Sequence, residues 1–326
     1  MNTKSFVMTS LKIPLSACAA LAACFLTCNL DAATAPEQKG FDTPQLAVEG
    51  LIQGIENFDV AVLASILGPG SEDLISSEDT VQDKSRAVAF AAKVREKNSI
   101  EVDPKNKDRA TLIVGNEQWP LPIPIVKRKA KWYFDSKAGR EAILLRRIGA
   151  NELDAIQVCL GFVGAEQAYS LEKHDDSIVN QYAQRIISTP GKHDGLAWQN
   201  ADGTWGGPVG ETVAKALEQG YSDKTKPFHG YFFKVLKGQG PAVPPGEIDF
   251  MVNGAMIGGF ALVAAPAEYG VTGVKTFMVS HGEVVYEKDL GPDGLKAFQS
   301  MDRFNPDKTW KETDDQWPDD EQVATN

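Results

Sequence analysis

The chain has 326 residues, 43% of them apolar and 24% charged, and a formal charge of -11. Those proportions belong to a folded globular chain and exclude a disordered, collagen-like or multi-span membrane protein. The acidic balance argues against a nucleic-acid partner, because phosphate contacts need clustered Lys and Arg, and four cysteines are too few for a disulfide scaffold.

Residues 1–35 read as an export signal. Lys4 and Lys12 precede an uncharged apolar run from Ile13 to Leu26, which has the length of a signal-peptide core and falls short of the roughly 20 residues that span a bilayer. Small residues follow at Ala32, Ala33 and Ala35. Cleavage after Ala35 puts Pro36 first, which disfavours it, so the expected site follows Ala32 or Ala33. Leu21-Ala22-Ala23-Cys24 also fits a lipoprotein signal, leaving a lipid anchor on Cys24 or an uncleaved segment as the routes to a membrane. The expected location is periplasmic or secreted. After ordinary cleavage only Cys159 remains, in an apolar run that makes it a small buried hydrophobe.

The mature chain alternates in charge. Residues 36–83 carry -9, residues 84–147 carry +9 and residues 148–326 carry -12. Such blocks imply complementary faces within one fold, or a basic face able to dock an anion.

Asp42 or Thr43 can cap a helix with Pro44 in its first turn, and Leu46, Ala47, Leu51, Ile52 and Ile55 recur at helical spacing. A second helix is expected over Val60–Leu67, ended by Gly68-Pro69-Gly70, and a third over about 81–97. Residues 110–114 read as a strand. Trp119 to Pro124 alternates with prolines and suits an extended edge, and residues 126–131 and 132–135 suit a hairpin. Helices followed by an antiparallel sheet give an α+β order.

Long segments carry a resemblance. "FDTPQLAVEGLIQGIENFDVAVLASILGPGSEDLI", "WPLPIPIVKRKAKWYFDSKAGREAILLRRIGANELDAIQVC", "STPGKHDGLAW", "PFHGYFFKVL" and "MIGGFALVAAPAEYGVTGVKTFMVSHGEVVYEKDLG" look like the bacterial family of unknown function 2950, across about residues 41–310. The family is known mainly as predicted exported proteins, and the resemblance implies no activity. The first part is similar in pattern to the cone-shaped nuclear-transport-factor-2-like fold, in which helices pack into a curved sheet around a pocket.

From Arg140 to Tyr169 the apolar spacing predicts one or two long helices, with Gly149 as a possible break. A helix is expected over Ser177–Ile187. Residues 191–210 form a long Gly/Trp-rich loop of the kind that is often functional, and a short helix is expected over Gly210–Gln219. Residues 231–236, 260–266, 276–280 and 284–286 read as strands of an antiparallel meander, similar to the sheet of pilin-like exported domains. The expected organisation is therefore a signal (1–35), a cone-like α+β domain (36–150), a helical segment with a long loop (151–220), a β domain (221–312) and a disordered acidic tail (313–326).

Chemistry-bearing candidates are few. The histidines are scattered with no metal-ligand spacing, and no nucleophile-elbow, phosphate-loop or dinucleotide motif is present. No cofactor is expected. His193-Asp194 in the long loop and His229 before a strand are the candidates for acid–base work in an exported hydrolase. Arg140 and Arg146-Arg147 either salt-bridge to Glu141, Glu152 or Asp154, or clamp a carboxylate or phosphate. Trp119 and Trp132 are core residues or pocket lining. The sequence leans toward a non-enzymatic periplasmic binding or interaction module for a small molecule or protein. The alternatives are the hydrolase and a pilus- or secretion-associated subunit.

Overall fold

One long helix links a helix-on-sheet half to a second antiparallel sheet in the computed structural model, which describes residues 37–221 and 225–313. The expected signal, Cys24 and nearly all of the expected acidic tail lie outside the described residues.

A side-chain cap starts three of the four early helices. Thr43 accepts from Leu46 N–H at 3.2 Å and Pro44 opens α1 (Pro44–Glu56). Asp59 accepts from Val62 N–H at 3.0 Å and starts α2 (Val60–Leu67), which stops at left-handed Gly68. A single turn, α3 (Glu72–Ile75), precedes α4 (Thr80–Glu96), capped by Asp79. The sheet comprises β1 (Asn98–Val102), β2 (Arg109–Val114), β3 (Trp119–Pro120), β4 (Ile125–Arg128) and β5 (Lys131–Phe134). Its order is β1-β2-β4-β5, antiparallel throughout, with β3 on β2. Alternate residues Ala110, Leu112 and Val114 face inward and meet Leu51, Ile52 and Ile66 from the helices.

Asp135 caps α5 (Ser136–Tyr169), a single helix about 51 Å long at 1.5 Å per residue. It begins before Arg140 and runs unbroken through Gly149, so residue 150, expected as a domain boundary, lies mid-helix. A helical glycine costs only about 1 kcal/mol relative to alanine, which burial on either side offsets. Gly139 lets the start of α5 close on the sheet: a Cβ there would sit 2.7 Å from Ile123 N.

The expected helix over Ser177–Ile187 does not form; the segment is turns and extended chain. Its backbone donors have tertiary partners instead: Tyr182 N–H goes to Met256 O and Ala183 N–H to the Glu166 carboxyl, both at 2.8 Å. Ile178 and Val179 stay exposed, so the apolar spacing there buries no stripe. A hairpin of β6 (Trp198–Gln199) and β7 (Trp205–Gly206) and then α6 (Gly210–Gln219) follow. Between them Gly207 has φ +93° and a Cβ there would lie 2.4 Å from Leu196 O. Gly207→Ala should therefore lower stability by about 2–4 kcal/mol through strain and overlap; an unchanged urea midpoint would contradict that close approach.

The second half holds β8 (Tyr231–Leu236), β9 (Gly238–Gln239), β10 (Ile248–Asp249), β11 (Met251–Val252), β12 (Ala255–Met256), β13 (Ala261–Pro266), β14 (Lys275–Ser280) and β15 (Val285–Asp289), then α7 (Gly294–Ser300), β16 (Arg303–Phe304) and β17 (Lys311–Glu312). The main sheet is antiparallel in the order β17-β15-β14-β13-β8, in keeping with the expected meander. β13 is buried on both faces: Leu262 and Ala264 meet Phe162 and Cys159 of α5, while Ala261, Val263 and Ala265 meet Phe298 and Phe304. The fold is α+β. Among the described residues no helix is long and apolar enough to cross a membrane.

Candidate functional site

The residues singled out in the sequence are mostly engaged in holding the fold. Trp132 is buried in the first core and its backbone pairs with Phe41. Trp119 is half-buried, edge-on to Phe90, with the Arg146 guanidinium 4.4 Å from its ring centroid. Arg140 donates to Gly70 O and the Asp73 carboxylate, and Arg147 donates to Asp73 O and Leu74 O. These forks fasten α5 to α3. The carboxylate partner of Arg140 is Asp73, not Glu141, Glu152 or Asp154; Arg147 is held by backbone carbonyls, and Arg146 is exposed and lies over Trp119.

His193 and His229 fall at separate places. His193 Nδ1 lies 2.8 Å from Asp175 Oδ1, and its backbone carbonyl accepts from Tyr169 Oη. Asp194 is bonded to Thr189 and paired with Arg185. His229 Nδ1 lies 2.9 Å from Asp154 Oδ2. The two anchors on α5, Asp154 and Tyr169, are about 22 Å apart along the helix. Each histidine thus has its own carboxylate, and the expected trio of His193, Asp194 and His229 is not brought together.

A buried polar junction lies where α4, α5 and the second sheet meet. Asp79, 3% exposed, accepts from Gln82 N–H, Tyr221 Oη and Gly230 N–H. Asn151 accepts from Arg86 and donates to Thr272 O. Burial pushes the Asp83 carboxyl above the ordinary range, against bonds from Ser77 and the charge of Arg147. Burial likewise holds the Arg147 guanidinium below its usual value, against Asp83 and Asp73.

Beside this junction opens a cavity of about 500 Å³, walled by the β13–β14 loop and the start of α7. Thr272 shapes the loop, taking the Glu268 N–H on its hydroxyl and returning that hydroxyl to Glu268 O. Tyr269 Oη reaches Asp289 Oδ2 at 3.2 Å and ties the two walls. Val274, Pro292 and Leu295 supply apolar surface and Thr276 a hydroxyl. Glu268 brings a carboxyl held above its ordinary range by burial and by the charges of Glu78 and Asp73, with Arg147 pulling the other way. Glu268, Tyr269, Thr276 and Leu295 were not predicted from the sequence, because they come from the β13–β14 loop, β14 and α7, which only the fold brings together. The available signal was a carboxylate and a tyrosine inside the glycine-punctuated run Ala267–Gly273, between two buried strands.

The model of the family described as "Protein of unknown function (DUF2950)" matches residues 38–313. The chain belongs to the DUF2950 family. The matched stretch contains every residue of the junction and the cavity. No curated protein and no solved structure matches the chain; the cone-like and pilin-like resemblances rest on the sequence segments alone.

In this DUF2950 protein the cavity combines one carboxyl, two hydroxyls and apolar surface. Among the described residues the hydroxyls of the cavity are those of Thr276 and Tyr269, and no histidine lines it. Cys159 is fully buried and its thiol is pushed up to about 12, so it stays protonated at neutral pH. Among the described residues no group of three or more His, Cys, Asp or Glu side chains is placed to hold a metal ion.

Proposed function

We propose that this DUF2950 protein is an exported, non-enzymatic binding module whose ligand sits in the cavity between the β13–β14 loop and α7. The observation that carries the reading is the cavity lining: apolar walls with a few convergent polar groups, Glu268, Tyr269 and Thr276, the usual make-up of a recognition pocket. Export rests on the positively charged start, the apolar run and the small residues at 32–35.

Native and denaturing mass spectrometry on protein recovered from the periplasm tests both parts. The expected result is a mature chain starting near Ala33 that retains a small molecule, and Leu295→Trp, which fills the cavity, releases it. A full-length chain confined to the cytoplasm overturns export. A retained molecule unaffected by Leu295→Trp, or none at all, overturns the cavity as the binding site and shifts weight to a protein partner.

A further inference from the structure

We propose that the cavity takes an organic cation, a protonated amine carried on an apolar body. The inference rests on the binding reading above and names the chemistry of its ligand.

Three features of the lining converge on that class. First, the charge is of one sign. Among the described residues Glu268 is the charged residue of the lining, and no Lys, Arg or His contributes to it. Glu78, Asp73 and Asp83 all act on the Glu268 carboxyl from the neighbouring junction. Arg147 opposes them with its own charge, and Asp73 is paired with Arg140. The charge on the lining itself, that of Glu268, therefore favours a cation over an anion.

Second, the cavity holds an uncommitted acceptor. Thr276 is 1% exposed and lines the cavity, and among the described residues its hydroxyl has no hydrogen-bond partner. Its oxygen is not sealed in the core but open to the cavity, so an ammonium N–H directed at it finds a free lone pair. The Glu268 carboxyl likewise makes no side-chain hydrogen bond to another described residue, although its backbone N–H and C=O are both taken by Thr272.

Third, the rest of the lining suits the body of such a ligand. Val274, Pro266, Pro292 and Leu295 offer apolar contact. The Tyr269 ring, 37% exposed, gives an aromatic face of the kind that attracts alkylammonium groups. A sugar or other polyol would face too few donors here, because Tyr269 already gives its hydroxyl proton to Asp289.

The test compares three probes of one shape: phenethylammonium, 2-phenylethanol and 3-phenylpropionate. Each is titrated into the full mature chain and followed by amide shifts at Tyr269, Val274, Thr276 and Leu295. The ammonium probe should bind at least tenfold more tightly than the alcohol, and the carboxylate should bind most weakly. Glu268→Gln, which keeps the shape and removes the charge, should weaken the ammonium probe about tenfold and leave the alcohol unchanged. Thr276→Val should weaken it about threefold to tenfold; circular dichroism of both variants checks that the fold is retained. If the alcohol or the carboxylate binds these residues as well as the ammonium does, the cation assignment is wrong while the binding reading stands. If no probe shifts these amides and the purified chain retains no molecule, both fail.

Discussion

Replacing Asp79 with alanine should cost about 3–5 kcal/mol of stability, seen as a lower urea midpoint with an unchanged slope. Its carboxyl accepts from Gln82 N–H at 2.9 Å, Tyr221 Oη at 3.0 Å and Gly230 N–H at 2.8 Å. The first of these is the helix cap of α4, worth about 1 kcal/mol by itself. The other two cross from α4 to the approach to β8, and each leaves a donor without a partner when the carboxyl is gone, at about 1–3 kcal/mol apiece. Asp79→Asn keeps one acceptor oxygen for the cap and should recover part of the loss. A loss below about 1 kcal/mol in the alanine variant would show that solvent reaches these donors and that the junction does not join the two halves.

Glu166→Gln should change how stability depends on pH. Glu166 is fully buried on α5; one oxygen accepts from Ala183 N–H and the other has no partner. Burial pushes its carboxyl up to about 8, with the Ala183 bond opposing. In the unfolded chain the same group titrates near the ordinary 4.5. Between those values the folded protein holds a proton that the unfolded chain has released, so this group's contribution falls as pH rises through the window and levels off above about 8. At roughly 1.4 kcal/mol per unit the full effect is on the order of several kcal/mol. The glutamine variant carries no such proton. Its stability relative to the native chain should rise steadily from pH 5 to pH 8 in urea titrations. Parallel curves across that range would mean that the carboxyl reaches water or a counter-charge.

How far the fold could be read in advance depends on how local its causes are. Thr43-Pro44 and Asp59 act within one turn, so α1 and α2 were legible, and α6 was expected with the bounds it has. The buried strands β8, β13 and β14 announced themselves as short apolar runs between glycines and prolines. Residues 177–187 carry helical spacing, yet Met256 and Glu166 take their backbone donors, partners 70 or more and 17 residues away that no window reveals. The arginines illustrate the same limit: Arg140 pairs with Asp73 across 67 residues. The acid–base trio failed because adjacency of His193 and Asp194 in sequence placed them on different partners. The cavity was not legible, since Glu268 and Tyr269 of one loop meet Thr276 of β14 and Leu295 of α7 only in the fold.

The helix α5 has a consequence for how this chain can be divided. Its first turns close on the 121–124 segment and α3, and its last turns carry the apolar face on which β13 and β14 rest. A cut near residue 150 would strip one sheet of its cover and leave the other with half a helix that has nothing to lie on. Gene fusion, recombination or limited trimming would therefore have to treat the stretch from 38 to 313 as one heritable block, and the family match runs over that same stretch without interruption.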